Sequence, residues 1–170
     1  MAKEGENAAA NAGQESQFVS FEIGGTTFLI PIDRVIEFRT WTEPTQVPHT
    51  PSYVRGIVNI RGEIVPIYDV AARLGRGTTD PGARHVVVIV RGHEGRSVGL
   101  LVDSVTDIVA ARDADRAPMP TIEGGDATPF MAGVVFSADR ILGVTDVDRL
   151  VEETFPHGEY AAAEGESPPA

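Results

Sequence analysis

The sequence predicts an all-β fold with a few short helices, and three observations support that prediction. Apolar and polar residues alternate with a period of two along most of residues 17–152, as they do in half-buried strands. Glycine, proline, asparagine and aspartate separate these runs at short intervals, which is typical of a barrel or sandwich. Helix-forming residues are confined to short stretches such as residues 70–74.

The first half of this region contains five expected strands. Their approximate bounds are 18–23, 26–30, 35–39, 55–61 and 64–69. Gly24 and Gly25 form the turn of the first hairpin, and Pro31 should interrupt pairing where the second strand ends. A short helix over residues 70–74 ends at Gly75, which suits a helix C-terminus.

The second half follows a loop rich in glycine, threonine and proline, and we expect the seam between two β subdomains near residues 76–84. The strands expected after this loop lie near 85–90, 97–103, 105–109, 130–136 and 140–144. Residues 92–95 and 137–139 form hairpin turns, and residues 118–129 form a loop. Residues 146–152 close the domain as a short strand or helix.

A hairpin at residues 51–69 carries the most distinctive motif. β-Forming residues flank its bend, at Val58, Ile60, Ile64 and Ile67. Gly62 can adopt the positive φ that a tight primed turn requires. Arg61 then lies at a strand end, where its guanidinium pairs either with a carboxylate of a partner or with one of its own chain. Pro66 has no amide hydrogen, so the second strand should be an edge strand or contain a bulge.

The composition limits the possible classes of function. The chain has 170 residues, a net charge of −11 and no cysteine, which excludes disulfides and thiolate chemistry and fits a reducing cytosol. The negative charge disfavours nucleic acid and anionic lipid as partners, and no run approaches the ~20 apolar residues of a membrane span. Residues 1–16 and 153–170 are polar, small or acidic, so we expect disordered tails around one domain at 17–152.

The segment from Pro51 to Pro66 resembles a known motif. It follows the pattern Pro-x-x-x-x-Gly-x-x-Asn-hydrophobic-Arg-Gly-x-hydrophobic-hydrophobic-Pro of the CheW-like domain, the module of bacterial chemotaxis coupling proteins. The resemblance extends in order and spacing over residues 18–152. It includes Phe18-x-x-Phe21, Val35-x-Glu37, Leu74-Gly75, Val98-Gly99-Leu100-Leu101-Val102-Asp103-x-Val105 and residues 133–150. Pro31 and the glycine-rich acidic loop at 121–126 depart from the family pattern.

This resemblance implies a pair of intertwined five-stranded SH3-like barrels around a shared core, without a catalytic centre or a cofactor. It implies a free-standing cytoplasmic adaptor that couples the cytoplasmic tips of chemoreceptors to the histidine kinase CheA. Such an adaptor reaches membrane-associated receptor arrays through its partners. Related adaptors serve sensory kinases that control twitching, gliding or development, and the motif does not distinguish between these pathways.

The resemblance also assigns residues to two partners. A receptor-facing groove between the subdomains would involve Val35, Asn59, Arg61, Gly62, Val98, Gly99 and Val102. The kinase would meet an exposed edge of the first subdomain, at Glu37, Phe38, Thr40 and Gly56. Val98 and Val102 fit an ordinary core as well as they fit a groove, and Gly56 and Gly62 fit backbone requirements. Trp41 is either packed over the core or exposed as a partner anchor.

Two other classes of function compete with an adaptor. An enzyme would need a catalytic constellation, but the four histidines lack the spacing of a zinc site. Asp103 and Asp107 share a strand face and are the best candidates for acid–base catalysis, although a solvated or turn-pairing role is commoner. A small-barrel nucleic-acid binder would need a basic face and stacking aromatic residues. Neither class explains the Asn59-Ile60-Arg61-Gly62 segment.

Overall fold

The computed structural model describes residues 15–120 and 130–151, and strands account for most of them. The strands are β1 Glu15–Ile23, β2 Thr26–Pro31, β3 Val35–Thr40, β4 Val54–Ile60, β5 Glu63–Asp69, β6 Val86–Arg91, β7 Ser97–Val102, β8 Ser104–Arg112, β9 Arg116–Ala117, β10 Met131–Ser137 and β11 Arg140–Thr145. The α-helices are short, α1 Val70–Arg73 and α2 Val147–Val151. Single 3₁₀ turns occur at Ile32–Arg34, His93–Gly95 and Asp113–Asp115. The all-β prediction is confirmed.

Within the described ranges the strands form two sheets. One has six strands in the order β8-β1-β2-β11-β10-β9, and the other has five in the order β3-β6-β7-β5-β4. Neighbouring strands are antiparallel except β2 with β11 and β5 with β7. The first sheet has one strand more than expected because Arg116–Ala117 pairs with β10.

The chain passes between the sheets twice. It leaves the six-stranded sheet after β2, through the 3₁₀ turn at Ile32–Arg34, and returns to it between Val102 and Ser104. The seam expected near residues 76–84 is not where the sheets divide, because that loop connects α1 to β6 inside the five-stranded sheet. Parallel pairing of β5 with β7 requires a long crossover, and the loop is part of that connection.

The predicted tails lie almost entirely outside the described residues. The exception is the N-terminal boundary, which was expected after residue 16. Glu15 and Ser16 already belong to β1, where they pair with Arg112 and Ala111 of β8. Strand β1 therefore includes two residues of the segment that was expected to be disordered, since pairing with β8 extends the strand.

Three apolar clusters fill the described structure. One lies between the sheets and takes Val88 and Val90 from β6, together with Phe21 and Ile30 from the other sheet. A second lies inside the six-stranded sheet and a third inside the five-stranded sheet. The third takes the intervening β6 residues, such as Ile89. Both faces of β6 are thus buried, which explains why its sequence is continuously apolar rather than alternating.

Pro66 corrects one prediction about strand position. It lies in β5, which is flanked by β4 and β7 and is not an edge strand. Its partner across β4 is Ile57, whose N–H and C=O are both hydrogen-bonded to Thr45. Pairing with β4 therefore requires no N–H at position 66, and pairing with β7 starts only at Ile67. This sheet tolerates a proline in β5 because residue 66 lies just before the β5–β7 ladder, in which a backbone N–H would be needed.

Candidate interaction surface

The β4–β5 turn presents an arginine at the end of the five-stranded sheet. Arg61 (φ 53°) and Gly62 (φ 85°) both have positive φ, which is the geometry of a two-residue primed turn. Ile60 and Glu63 are the last paired residues on either side. Asn59 supports the bend, because its Oδ1 accepts a hydrogen bond from the Gly62 N–H at 2.8 Å. The residues of the turn therefore determine its conformation and place the Arg61 side chain at the end of the sheet.

An ion network joins this turn to the edge strand β3. Arg61 Nη2 donates to Glu37 Oε2 at 2.9 Å, and Arg39 Nη1 donates to Glu37 Oε1 at 2.8 Å. The Arg61 side chain is 75% exposed, whereas that of Glu37 is 21% exposed. Within residues 15–120 and 130–151, Nε and Nη1 of Arg61 make no hydrogen bond. Of the two interpretations of Arg61, pairing within its own chain is the one observed, and part of its guanidinium is left available.

The arginines lower the pKa of Glu37 below that of an ordinary glutamate. The hydrogen bond from Arg39 is the largest cause, and partial burial acts in the opposite direction. Arg61 adds to the lowering through its own hydrogen bond and its charge. Glu37 is therefore ionised at neutral pH and holds Arg61 in one orientation.

A cavity of about 120 Å³ opens beside the ion network. Its walls include apolar side chains, among them Ile36, Ile60, Val65 and Ile89. Glu63 forms part of the rim, and its carboxylate accepts hydrogen bonds from the Ser97 N–H at 3.2 Å and the Ser97 hydroxyl at 3.1 Å. Apolar walls with fixed charges of both signs at the rim suit docking of a protein side chain.

The edge strand beside this cavity exposes two large apolar residues. Ile36 and Phe38 are each about half exposed, on either side of Glu37 in sequence. Among the described residues, β3 pairs only with β6, so its outer edge has no partner strand. Exposed apolar side chains on an open edge mark a surface for protein contact.

The structure separates the expected receptor-binding residues into two groups. Asn59, Arg61 and Gly62 lie together at the exposed turn, and Val35 starts β3 half-buried against the cluster between the sheets. The other group, Val98, Gly99 and Val102, is buried in β7. Val98 and Val102 belong to the same core cluster. A Cβ at Gly99 would collide with Ile67 and Val87, so no room for a partner exists there. Of the two interpretations of Val98 and Val102, the core is the one observed.

The expected kinase-binding residues do not form a separate site. Glu37 is in direct contact with Arg61, although the two were assigned to different partners. Phe38 and Thr40 are exposed further along β3. Gly56 is buried at a bulge with φ of 140°, and a Cβ there would overlap the Thr45 carbonyl oxygen. Gly56 is thus a backbone requirement, as the sequence allowed.

Sequence reasoning missed the role of Arg39. It is the main cause of the lowered pKa of Glu37, yet no motif points to it. The signal that identifies it is spacing, because residues two apart on a strand share a face. Once Glu37 is placed on β3, Arg39 is the neighbouring cation on the same side.

The candidates for catalysis have structural roles. Asp103 Oδ2 accepts a hydrogen bond from the Gly24 N–H at 2.7 Å, which fixes the β1–β2 turn. Asp107 Oδ1 accepts one from the Ile108 N–H at 2.8 Å. In the part of the chain that the structure describes, no three metal-ligating side chains come together. Trp41 packs partly buried against the core of the five-stranded sheet, with the Arg55 guanidinium 5.6 Å from its ring.

Comparison with known proteins agrees with this architecture. The family model described as the CheW-like domain matches residues 17–155. The chain belongs to the CheW-like family. The chemotaxis protein CheW of Rhizobium meliloti (strain 1021) is 38% identical to this CheW-like chain over 153 residues, which are 90% of this chain and 94% of that protein. The probable chemotaxis protein CheW of Rhizobium etli is 37% identical over 140 residues, covering 82% and 90%.

A solved structure matches the fold. The crystal structure of the scaffolding protein TtCheW from Thermoanaerobacter tengcongensis superposes with a TM-score of 0.76 at 27% identity, covering 82% of this chain and 94% of that one. This CheW-like protein is accordingly a non-catalytic scaffold protein of chemotaxis, and the predicted family and adaptor class are confirmed. In the described residues, neither helix is long and apolar enough to cross a bilayer.

Proposed function

We propose that this CheW-like protein couples the cytoplasmic tips of chemoreceptors to the histidine kinase CheA. The observation that carries the proposal is the exposed Arg61, fixed by Glu37 with Nε and Nη1 uncommitted in the described residues. A receptor carboxylate can accept a hydrogen bond from either of these donors, and apolar receptor side chains can occupy the neighbouring cavity and cover Ile36. In this proposal the protein works in the cytoplasm and reaches receptor arrays through its partners.

The way Arg61 is held supports its assignment to a partner. Its φ of 53° belongs to the two-residue turn, which places the side chain at the end of the sheet. Glu37 also restricts the guanidinium before any partner arrives, which reduces the entropy lost on binding.

The receptor contact in this proposal is smaller than the set expected from the resemblance. Asn59 and Gly62 shape the turn and Arg61 makes the contact, whereas Val35 starts β3 and packs against the cluster between the sheets. Val98, Gly99 and Val102 enter only as the buried support that β7 provides. For the kinase, Phe38 and Thr40 are the side chains we assign, since both are exposed on β3.

The experiment is a pull-down with the tagged protein from cytosol and membranes of the source organism, identified by mass spectrometry. The unsubstituted protein should recover a histidine kinase together with chemoreceptors, and the recovered proteins identify the pathway. Arg61→Ala should weaken receptor binding by about 1.5–3 kcal/mol, because it removes a charge-assisted hydrogen bond. Arg96→Ala is the matched control, since Arg96 is also an exposed arginine next to a strand on this sheet and pairs with Glu94.

The outcomes separate the parts of the proposal. Equal receptor recovery with Arg61→Ala and Arg96→Ala, both folded, would reject Arg61 as the receptor contact. Phe38→Ser should reduce recovery of the kinase and leave the receptors, because it removes an exposed apolar side chain without disturbing the ion network. Recovery of neither partner by the unsubstituted protein would reject the coupling role itself.

A further inference from the structure

Two arginines share one carboxylate beside the β4–β5 turn. Glu37 Oε1 accepts a hydrogen bond from Arg39 Nη1 at 2.8 Å, and Glu37 Oε2 accepts one from Arg61 Nη2 at 2.9 Å. Each arginine binds its own oxygen, so the two do not compete for one acceptor atom. Among the described residues, Arg39 pairs with no other acid. Its charge is therefore directed at Glu37.

The charges around the neighbouring cavity balance only when Arg39 is counted. Among the described residues that line this cavity, the charged ones are Glu37, Arg61 and Glu63. The Glu63 carboxylate accepts hydrogen bonds from Ser97 and, in the same described residues, pairs with no cation. Two carboxylates therefore face one guanidinium, and their excess negative charge would repel an approaching carboxylate of a partner. Arg39 supplies the second positive charge.

The position of Arg39 makes its effect on the cavity indirect. Arg39 does not belong to the cavity walls, whereas Glu37 and Arg61 do. It lies two residues beyond Glu37 on the same face of β3, and its side chain is 48% exposed. By binding Oε1, Arg39 also keeps the other carboxylate oxygen directed at Arg61. Arg39 can thus act on an occupant of the cavity through Glu37, without contacting that occupant.

We propose that Arg39 is a positioning residue for the receptor contact and that it acts through Glu37. It neutralises the Glu37 carboxylate, so the charge of Arg61 stays available to a receptor carboxylate while Glu37 still orients the Arg61 guanidinium. This inference rests on the proposed function, because it concerns the receptor contact assigned to Arg61. Charge balance of this kind affects the rate of association and makes affinity depend on salt.

The test measures binding of a soluble receptor fragment to the full chain by isothermal titration calorimetry, at low and at high salt. The fragment contains the cytoplasmic tip of a chemoreceptor that the unsubstituted protein recovers. Arg39→Ala should weaken binding about three- to tenfold at low salt, because Glu37 then offsets the charge of Arg61. The loss should shrink at high salt. Arg112→Ala is the matched control, since it removes an exposed arginine that pairs with Asp115 on the other sheet, and it should leave the affinity unchanged.

Two further variants separate an action through Glu37 from a direct contact or a merely structural role. Arg39→Lys keeps the positive charge and a hydrogen-bond donor, so its affinity should stay within about twofold of that of the unsubstituted protein. The double variant Arg39→Ala with Glu37→Gln removes one charge of each sign, and the amide oxygen can still accept a hydrogen bond from Arg61. Its affinity should return to that of the unsubstituted protein.

Each other outcome overturns the inference. Equal affinities of Arg39→Ala and Arg112→Ala would show that Arg39 does not contribute to the receptor contact. A loss in Arg39→Ala that Glu37→Gln does not restore would show that Arg39 contacts the receptor itself or only shapes β3. Failure of the unsubstituted protein to bind the fragment, or an unchanged affinity in Arg61→Ala, would instead reject the proposed receptor contact and the inference with it.

Discussion

Glu37 and Asp69 both lie on the five-stranded sheet and both have an arginine nearby, but one is near the surface and the other is inside. Among the described residues, the Glu37 carboxylate accepts hydrogen bonds only from side chains, those of Arg39 and Arg61. Asp69 is 0% exposed and binds chain segments. It accepts hydrogen bonds from the Ala72 N–H, at the start of α1, and from the N–H and hydroxyl of Thr79 in the following loop.

The difference shows how burial decides what a carboxylate does in this fold. Asp69 ties α1 and the crossover loop to the end of β5, and its distance to Arg55 Nη1 is 3.9 Å, longer than its three hydrogen bonds. A buried group of this kind cannot release its partners without leaving them unpaired. Glu37 can release Arg61, because solvent or a partner protein can replace Glu37 as the acceptor for the exposed Arg61 guanidinium.

The largest effect is expected from Asp69→Ala. It removes the N-terminal cap of α1 and both bonds to Thr79, and the free energy of unfolding should fall by about 3 kcal/mol. Urea denaturation followed by circular dichroism measures the change. Asp69→Asn keeps the shape of the side chain and one acceptor oxygen, so its free energy of unfolding should fall less than that of Asp69→Ala. A loss below about 1 kcal/mol for Asp69→Ala would mean that water replaces the carboxylate, and the contrast with Glu37 would fail.

An intermediate effect is expected from Arg55→Ala. The substitution removes the hydrogen bond from Arg55 Nη1 to the Thr79 carbonyl oxygen and the contact with the Trp41 ring, and the cost should be about 1–2 kcal/mol. The same denaturation experiment measures it. If Arg55→Ala proved as costly as Asp69→Ala, the charge pair rather than the backbone contacts would dominate at this end of the sheet.

The smallest effect on stability is expected from Glu37→Gln, which should leave the urea midpoint unchanged. The pKa of Glu37 itself, followed by NMR of its carboxyl carbon, should lie below the ordinary value. Arg39→Ala and Arg61→Ala should each raise that pKa, because both side chains donate a hydrogen bond to the carboxylate and both carry an opposite charge. An unchanged pKa in either variant would mean that the arginine concerned does not bind Glu37 in solution.

The sign of the pH dependence follows from the same pKa. A carboxyl group whose pKa is lower in the folded protein stabilises it fully above the unfolded value, about 4.3 for glutamate. That stabilisation is lost as the pH falls through the folded value. Any loss of stability in Glu37→Gln should therefore be present where Glu37 is ionised, above about pH 4.3, and should vanish as the pH falls through the folded value. Because the carboxylate and Arg61 are near solvent, that loss should be too small to move the urea midpoint at neutral pH.

The sequence predicted those features that depend on neighbouring residues. The β1–β2 turn at Gly24-Gly25 and the turn at Arg61-Gly62 follow from local turn chemistry, and both are found. The cap of α1 by Gly75, with φ of 76°, is of the same kind. The motif also pointed to Arg61 as the exposed residue of its hairpin.

Features that depend on how distant segments meet could not be predicted. The contact between Arg61 and Glu37 requires β3 and the β4–β5 turn to meet at one end of the sheet, which no spacing in the sequence specifies. From the sequence, Pro66 predicts an edge strand. That prediction is wrong because no sequence pattern indicates the bridge between Ile57 and Thr45, which lets β4 pair beside a proline. Val98 and Val102 read equally well as core or groove, since burial on both faces of a strand leaves no alternation to interpret.

The passage of the chain between the two sheets has a consequence for synthesis on the ribosome. All strands of the five-stranded sheet lie in one continuous stretch, from β3 to β7, so this sheet can assemble as soon as that stretch has emerged. The six-stranded sheet cannot, because β2 must wait for β11, which is made near the end of the described chain. The emerging protein therefore carries the apolar β1–β2 hairpin with β1 unpaired on its outer edge until β8 is made and β2 unpaired until β11 is made, and this is the interval in which the hairpin is exposed to misassembly.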